Sequence, residues 1–224
     1  MKYFTPGQKQ LAKQLFEVGA VQFGAFKLKL HETQPDAPFS PIYFKFRTPD
    51  NPKPGPLTPI VLDQIGQVLY AKALWGQMRS DYVAGIPNAG DPIVEAFCRE
   101  AETKNNPLRR LHFDKVVIDG NRRIGPVTGN SYEPGQSVLL IDDLITQADT
   151  KFEAIKSVET AGLKVAGILV LVDREQGGRQ QLEQAGYKVS AIYQLSDLLK
   201  FYVGQGQIAQ TKADEVLAYI QAKG

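Results

Sequence analysis

The chain has 224 residues, 43% of them hydrophobic, which is enough to bury one substantial core. Its net charge of +2 excludes the concentrated basic surface that nucleic-acid and anionic-membrane binders usually carry. The sequence contains no apolar run of the roughly 18 residues that span a membrane. Its first residues also lack the apolar core of a signal peptide, so we expect a soluble protein of the cytoplasm.

The first 50 residues predict a small N-terminal lobe. Apolar residues at helical spacing indicate a helix over residues 8–18. The alternation of apolar and basic residues over 23–30 predicts a strand, and a second strand over 42–46 would complete a hairpin. Two prolines in the segment 31–39 indicate that a loop joins these strands.

A connector with four prolines, residues 50–59, leads into a long helix. Thr58 can cap this helix, with Pro59 at its first position. We expect Trp75, near the end of the helix, to pack in an aromatic core. Cys98 lies on a later helix and cannot form an internal disulfide, because it is the one cysteine. Its apolar neighbours favour a buried structural thiol over a nucleophile.

From Tyr82 onward the pattern alternates between strand and helix. Apolar strands are predicted at 82–86, 137–141, 165–172 and 188–192. Continuous apolar runs separated by helices are typical of a parallel sheet covered on both faces. The sequence therefore predicts a single α/β domain over 1–224. It would have a mostly parallel central sheet flanked by helices in a core of residues 58–224, with the lobe of residues 1–50 as a hood over the sheet edge.

Two adjacent acids, Asp142 and Asp143, follow the strand at 137–141. Open α/β sheets bind ligands at this end of their strands, where carboxylates can hold ribose hydroxyls or Mg²⁺. The loop then enters a helix, whose first N–H groups favour a phosphate, and Thr146 and Thr150 can add hydroxyl donors. The acids could instead cap a turn, but their pairing and the following helix favour a binding site.

Residues 138–150 resemble the ribose-phosphate motif of the type I phosphoribosyltransferases. That motif has apolar residues, two acids, two apolar residues and then Thr-Ala-Gly-Thr or similar. The resemblance implies the type I phosphoribosyltransferase fold, in which Asp142 and Asp143 bind the ribose and, directly or through water, Mg²⁺. It also implies a 5′-phosphate loop, which here comprises Thr146, Gln147, Ala148, Asp149 and Thr150. Ala148 stands where glycine is usual, and Asp149 stands where a small hydroxyl residue is usual.

Other segments are most similar to the orotate phosphoribosyltransferases, including the form fused in UMP synthase. Residues 171–178, Leu-Val-Asp-Arg-Glu-Gln-Gly-Gly, resemble the segment whose arginine meets the orotate carboxylate, which assigns that role to Arg174. Phe-Gly-Ala-Phe-Lys-Leu-Lys at 23–29 and Ser-Pro-Ile-Tyr at 40–43 resemble strands that cover the base. The resemblance implies orotate contacts by Lys29 and by Tyr43 or Phe44.

The resemblance also covers the residues expected to handle pyrophosphate. Residues 83–92 resemble the family's pyrophosphate loop, here Pro87, Asn88, Ala89 and Gly90, although a generic turn remains the alternative. The stretch 109–120 corresponds to a lysine-rich lid that stabilises the leaving group. Arg110 keeps the arginine, Leu111 and Asp114 replace lysines, and Lys115 is displaced by one position. We predict that Asp143, Arg110 and Lys115 are catalytic.

The resemblance runs over nearly the whole chain and implies the transfer of a phosphoribosyl group from phosphoribosyl pyrophosphate to orotate. The products would be orotidine 5′-phosphate and pyrophosphate, in the biosynthesis of UMP. It further implies Mg²⁺, a homodimer and a functional association with orotidine 5′-phosphate decarboxylase. The departures at Ala148, Asp149 and the lid lysines leave two alternatives open. One is a protein of reduced or no activity that binds a nucleotide or phosphorylated metabolite for regulation, and the other is a transferase with a different acceptor base.

Overall fold

A computed structural model describes residues 4–32, 34–50, 54–118 and 120–222, without the side chains of residues 29, 30, 118, 121 and 122. In chain order the elements are α1 (Pro6–Glu17), β1 (Val21–Phe26), a 3-10 helix (Lys29–Glu32), β2 (Ser40–Phe44), α2 (Pro59–Trp75), β3 (Tyr82–Gly85), α3 (Gly90–Thr103), β4 (Arg109–Ile118), β5 (Asn121–Gly129), β6 (Ser137–Ile145), α4 (Asp149–Thr160), β7 (Lys164–Asp173), α5 (Gly178–Gln184), β8 (Val189–Gln194), α6 (Leu195–Gly204) and α7 (Gln210–Gln221). None of the helices in these residues combines the length and apolar character needed to cross a lipid bilayer.

The chain divides into two compact units, of which the first contains the residues up to 61 and those from 194 onward. Its strands β1 and β2 form the predicted antiparallel hairpin, with Phe23 opposite Ile42. Helix α1 begins with a capping box. The Thr5 hydroxyl accepts the N–H of Gln8, whose side chain accepts the N–H of Thr5. Two donors that a helix N-terminus would leave unsatisfied are thereby bonded.

The aromatic core of the first unit is centred on Tyr202 of α6. This buried side chain packs against the rings of Phe16 and Phe23, at centroid distances of 5.2 and 6.2 Å. Its hydroxyl donates to the carbonyl of Ala12 at 3.0 Å, so the polar end of a buried ring is satisfied. Helix α6 thus shares a core with α1 and β1.

The second unit, residues 62–193, contains the predicted mostly parallel sheet. Within the described residues its strand order is β5-β4-β3-β6-β7-β8. Strand β3 pairs in parallel with β4 and β6, and β6 pairs in parallel with β7. At one edge β5 lies antiparallel to β4. The fold class predicted from the sequence is therefore confirmed.

Several local predictions were wrong. Strand β1 ends at Phe26, so Lys29 begins a 3-10 helix instead of continuing the strand. Trp75 is 73% exposed and is not part of a core. The apolar residues of α2 continue into its last turn, beyond the residues that the helix buries. Cys98 is a free thiol but is half-buried rather than buried. Strand β6 does not end before Asp142 but runs through both acids to Ile145.

Candidate active site

Three loops of the second unit are hydrogen-bonded to one another at the carboxyl edge of the sheet. The N–H of Ile86, after β3, donates to the carbonyl of Ile141 in β6 at 2.8 Å. The N–H of Arg174, after β7, donates to the carbonyl of Ile145 at 2.9 Å. Gly178 N–H donates to the Thr146 carbonyl, also at 2.9 Å. The structure therefore brings together the predicted pyrophosphate loop, the acid pair with its phosphate loop, and the turn that carries Arg174.

The two acids of the pair have different surroundings. Asp142 is 5% exposed. One of its oxygens, Oδ1, accepts the N–H of Asp143 at 2.8 Å, and the other, Oδ2, lies 2.6 Å from Nζ of Lys151. Asp143 is only partly buried, and its Oδ1 accepts the N–H of Leu144 at 2.7 Å. Both oxygens of Asp142 are thus engaged by the backbone and by Lys151, whereas the Asp143 carboxyl bonds to the backbone and to Asp142 and is more exposed.

Burial raises the pKa of the Asp143 carboxyl well above its usual range, and the neighbouring charge of Asp142 raises it further. The ammonium of Lys151 acts in the opposite direction but does not outweigh these two effects. A carboxyl that holds its proton more strongly can both donate to and accept from a hydroxyl group. Asp143 therefore has the chemistry expected of a group that contacts the hydroxyls of a sugar.

Lys151 is a site residue that the sequence interpretation missed. It is 5% exposed and lies on the inner face of α4, together with Ala154, Ile155 and Val158. A helical period through these apolar positions includes residue 151, so a lysine there had to be buried. Because a buried ammonium needs an anionic partner, the two acids just before the helix were the signal that could have predicted this ion pair.

The phosphate loop accommodates its two unusual residues. Ala148 has φ −96° and ψ 0°, a backbone conformation that does not require glycine, and its methyl group is fully buried in the core. Asp149 and Thr150, in the first turn of α4, are exposed, as is Gln147, while Thr146 is half-buried. The first N–H groups of a helix lack intrahelical acceptors, so this end of α4 can bind an anion.

A side-chain hydrogen bond and a close backbone contact hold the turn after β7. The carboxylate of Asp173 accepts the N–H of Glu175 at 2.8 Å, and burial raises the pKa of Asp173. Arg174 is 8% exposed, so its guanidinium is held close to the protein. A Cβ atom added at Gly178 would lie 2.6 Å from the carbonyl oxygen of Thr146, so only glycine allows this close approach of α5 to the phosphate loop.

The predicted pyrophosphate loop packs directly against β6. Its peptide bond between Pro87 and Asn88 is cis, and α3 begins at Gly90. A Cβ atom at Gly90 would lie 2.6 Å from the carbonyl oxygen of Ile141, which excludes a larger residue without movement of the loop. Ala89 precedes this glycine in a right-handed helical conformation.

The stretch expected to be a lid forms strand β4, part of an antiparallel hairpin with β5. Arg110 lies 2.7 Å from Glu95 and 3.6 Å from Asp91, both in the first half of α3. Burial raises the pKa of Asp91, while the charges of Arg110, Lys115 and His112 lower it. The cations of β4 therefore lie beside the start of α3, where the pyrophosphate loop ends.

The predicted orotate contacts of the N-terminal lobe belong to the first unit. The half-buried ring of Tyr43 stacks on Phe26 at a centroid distance of 5.5 Å. Phe44 is 8% exposed and packs against Phe46. The side chain of Lys29 lies outside the described part of the structure. A role for Lys29, Tyr43 or Phe44 in orotate binding stays a prediction.

Comparisons with known proteins agree with the fold. No protein-family model matches the chain. Orotate phosphoribosyltransferase of Sorangium cellulosum is 33% identical over 137 residues, which cover 60% of this chain and 70% of that protein. Uridine 5′-monophosphate synthase of Bos taurus is 29% identical over 92% of this chain. The solved structure of Leishmania donovani UMP synthase has a TM-score of 0.75 and 29% identity over 96% of this chain.

The chain spans about two fifths of the two synthases, covering 39% of the bovine protein and 42% of the Leishmania chain. It covers most of the separate transferase from Sorangium. That match combines 33% identity with coverage of 70% of the transferase. The chain therefore belongs to the orotate phosphoribosyltransferase family.

Proposed function

We propose that the chain is an orotate phosphoribosyltransferase of pyrimidine biosynthesis, which transfers the phosphoribosyl group of phosphoribosyl pyrophosphate to orotate. The observation that carries the proposal is the hydrogen-bonded junction of three loops at the carboxyl edge of the sheet. It places the acid pair, the N-terminus of α4 and the turn of Arg174 next to one another. These groups supply hydroxyl contacts, an anion site and a guanidinium, which are what a ribose, its phosphate and an acidic base require.

In this mechanism a bond forms between C1′ of the ribose and a nitrogen of orotate as the bond from C1′ to pyrophosphate breaks. Asp143 binds the ribose hydroxyls, residues 146–150 bind the 5′-phosphate and Arg174 binds the orotate carboxylate. Residues 87–90 receive the pyrophosphate, and Arg110 and Lys115 provide positive charge close to it. Catalysis then arises from positioning and from electrostatic stabilisation of the leaving group.

The described residues do not fit a resident Mg²⁺ ion held by the protein alone. Among them no three His, Cys, Asp or Glu side chains cluster as a metal site. The carboxylate of Asp142 is already engaged by Lys151 and by the N–H of Asp143. Mg²⁺ prefers six oxygen ligands and commonly takes several from substrate phosphates. We therefore assign Mg²⁺ to the pyrophosphate of the substrate, with Asp143 as the protein carboxyl that can approach it.

A second function, ligand binding without turnover, is favoured by the state of the cations on β4. Arg110 is paired with Glu95 and Asp91, and the lysines usual in the lid are replaced by Leu111 and Asp114. A guanidinium held by two carboxylates stabilises a leaving group less than a free one. The predicted homodimer and the association with a decarboxylase belong to the same proposal, and both stay predictions.

The loss of orotate absorbance after addition of phosphoribosyl pyrophosphate and Mg²⁺ tests the proposal. We expect turnover in the wild type and in Asp214→Asn, which changes an exposed acid on α7. Asp143→Asn should lower kcat/KM by about 10- to 100-fold, because the amide replaces the carboxyl that hydrogen-bonds to the ribose hydroxyls. A wild type that binds phosphoribosyl pyrophosphate in calorimetry but consumes no orotate would identify the second function. A wild type that turns over only with another base would correct the acceptor.

A further inference from the structure

The first turn of α4 buries a lysine ammonium next to the acid pair. The Lys151 side chain is 6% exposed, and its Nζ lies 2.6 Å from Oδ2 of Asp142 and 2.7 Å from the carbonyl oxygen of Leu144. This ammonium therefore joins the start of α4 to the end of β6. It closes the base of the loop that we propose binds the 5′-phosphate.

The same contact restricts what Asp142 can do. Its side chain is 7% exposed, and the Asp143 N–H and the Lys151 ammonium approach its two oxygens separately. Moving a lone ammonium or carboxylate out of water costs several kcal/mol, so each of these two groups depends on the other. A ligand that took Asp142 as its partner would have to separate this pair.

Asp143 is in the opposite situation. It lies one residue further along β6, on the opposite side of the strand, and it is only partly buried. Its Oδ1 accepts the Leu144 N–H, and its carboxyl also hydrogen-bonds to that of Asp142, which together fix its orientation. Asp143 is therefore the acid of the pair that is oriented and still accessible.

We infer that Lys151 is a positioning residue that holds Asp142 as an internal counter-ion, so that Asp143 alone presents a carboxyl to the ribose of phosphoribosyl pyrophosphate. The inference rests on the proposed function for the identity of the ligand. It has a second consequence that does not depend on the ligand. Because the ammonium already neutralises Asp142, the acid pair of the free protein does not attract a divalent cation.

The consequence for cations is tested by thermal unfolding of the substrate-free protein with and without Mg²⁺. Lys151→Met keeps an unbranched side chain one atom shorter and removes its charge, which leaves two carboxyls without a counter-ion. We expect Mg²⁺ at about ten times its Kd to raise the Tm of this variant by roughly 3–5 °C, with no comparable shift in the wild type. In Lys151→Met/Asp142→Asn the shift should disappear, because one carboxyl has been neutralised. A wild type stabilised by Mg²⁺ as much as Lys151→Met would overturn the inference.

The consequence for the ligand is tested by calorimetry with phosphoribosyl pyrophosphate and Mg²⁺. We expect Asp143→Asn to weaken binding by at least about tenfold, and Lys151→Met/Asp142→Asn by about threefold, since that variant loses only the positioning pair. The double variant has no unpaired buried charge, so it should fold even where Lys151→Met does not. Equal losses in the two variants would refute the assignment. If the wild type itself fails to bind phosphoribosyl pyrophosphate, the proposed function fails, while the Mg²⁺ comparison still decides the role of Lys151.

Discussion

The contact between Gly178 and the phosphate loop is the most sharply defined constraint on the site. In Gly178→Ala the new Cβ atom would lie 2.6 Å from the carbonyl oxygen of Thr146 and 2.8 Å from the carbonyl carbon of Gln147. Ordinary contacts of a Cβ atom begin at 3.4 Å, so α5 and the loop must separate by about 0.8 Å. Both atoms belong to the backbone, so a change of side-chain rotamer cannot relieve the clash.

This separation should cost stability and activity together. We expect Gly178→Ala to lower the free energy of unfolding by about 1–3 kcal/mol, the usual cost of overpacking. The loss in kcat/KM should be larger, on the order of 100-fold, because the shift moves the phosphate loop away from the Arg174 turn. Urea unfolding and the orotate absorbance assay measure the two effects.

Gly204→Ala is the matched control for this substitution. Gly204 ends helix α6, and a Cβ atom there would have no neighbour within 4 Å. Alanine in a helix is favoured over glycine by about 0.5–1 kcal/mol, so this variant should be as stable as the wild type or slightly more stable. If Gly178→Ala matches Gly204→Ala in both stability and kcat/KM, the loop does not depend on this contact and our account of the site geometry is wrong.

Two further predictions concern titratable groups. Burial raises the pKa of the Cys98 thiol from 9.0 to about 11, so at pH 8 its thiolate fraction should fall roughly 100-fold. Iodoacetamide should accordingly alkylate the folded protein far more slowly than the guanidinium-unfolded one, and similar rates would contradict the prediction. The folded-state pKa of Asp173 is raised, so its contribution to stability is present at low pH and is lost as pH rises through that pKa. Asp173→Asn does not ionise, so its stability relative to the wild type should increase from about pH 4 to pH 7 in urea unfolding, and a constant difference would refute this.

The sequence predicted the sheet because its buried parallel strands are continuous apolar runs. The core of β7, residues 168–172, is fully buried and has no polar residue to interrupt the pattern. Strand β5 was not predicted, because an edge strand can carry the charge of Arg123 and even Pro126 without losing its pairing. Local patterns reveal buried strands much better than strands at an edge.

The start of one helix was predicted better than the surface that it buries. Thr58 and Pro59 correctly placed the start of α2, whereas α1 begins at Pro6, two residues before its predicted start. The exposure of Trp75 could not be predicted, because α2 is apolar over most of its circumference and the sequence does not reveal which side is buried. Which side chains of an apolar helix remain exposed depends on the packing of distant segments.

The sequence predicted Asp142 and Asp143 as a pair of site acids but did not predict the difference between their surroundings. Asp142 and Asp143 have the same side chain, so the sequence alone predicts the same role for both in binding the ribose and the metal. They differ because successive residues of β6 lie on opposite sides of the strand, so only Asp142 meets the ammonium of α4. The distinction depends on which face of the strand the helix covers, and that is a property of the tertiary structure.

Ala148 and Asp149, the two unusual residues of the predicted phosphate loop, should differ in their effect on phosphate binding. Ala148 replaces a glycine without strain, because its backbone is right-handed and its methyl group fills the core. Asp149 stands in the first turn of α4, where a carboxylate gains about 0.3–1 kcal/mol from the helix dipole. A bound phosphate uses the same end of that dipole and is repelled by the carboxylate. If the loop binds a phosphate as proposed, its affinity is therefore lowered by the charge of Asp149 and not by the missing glycine.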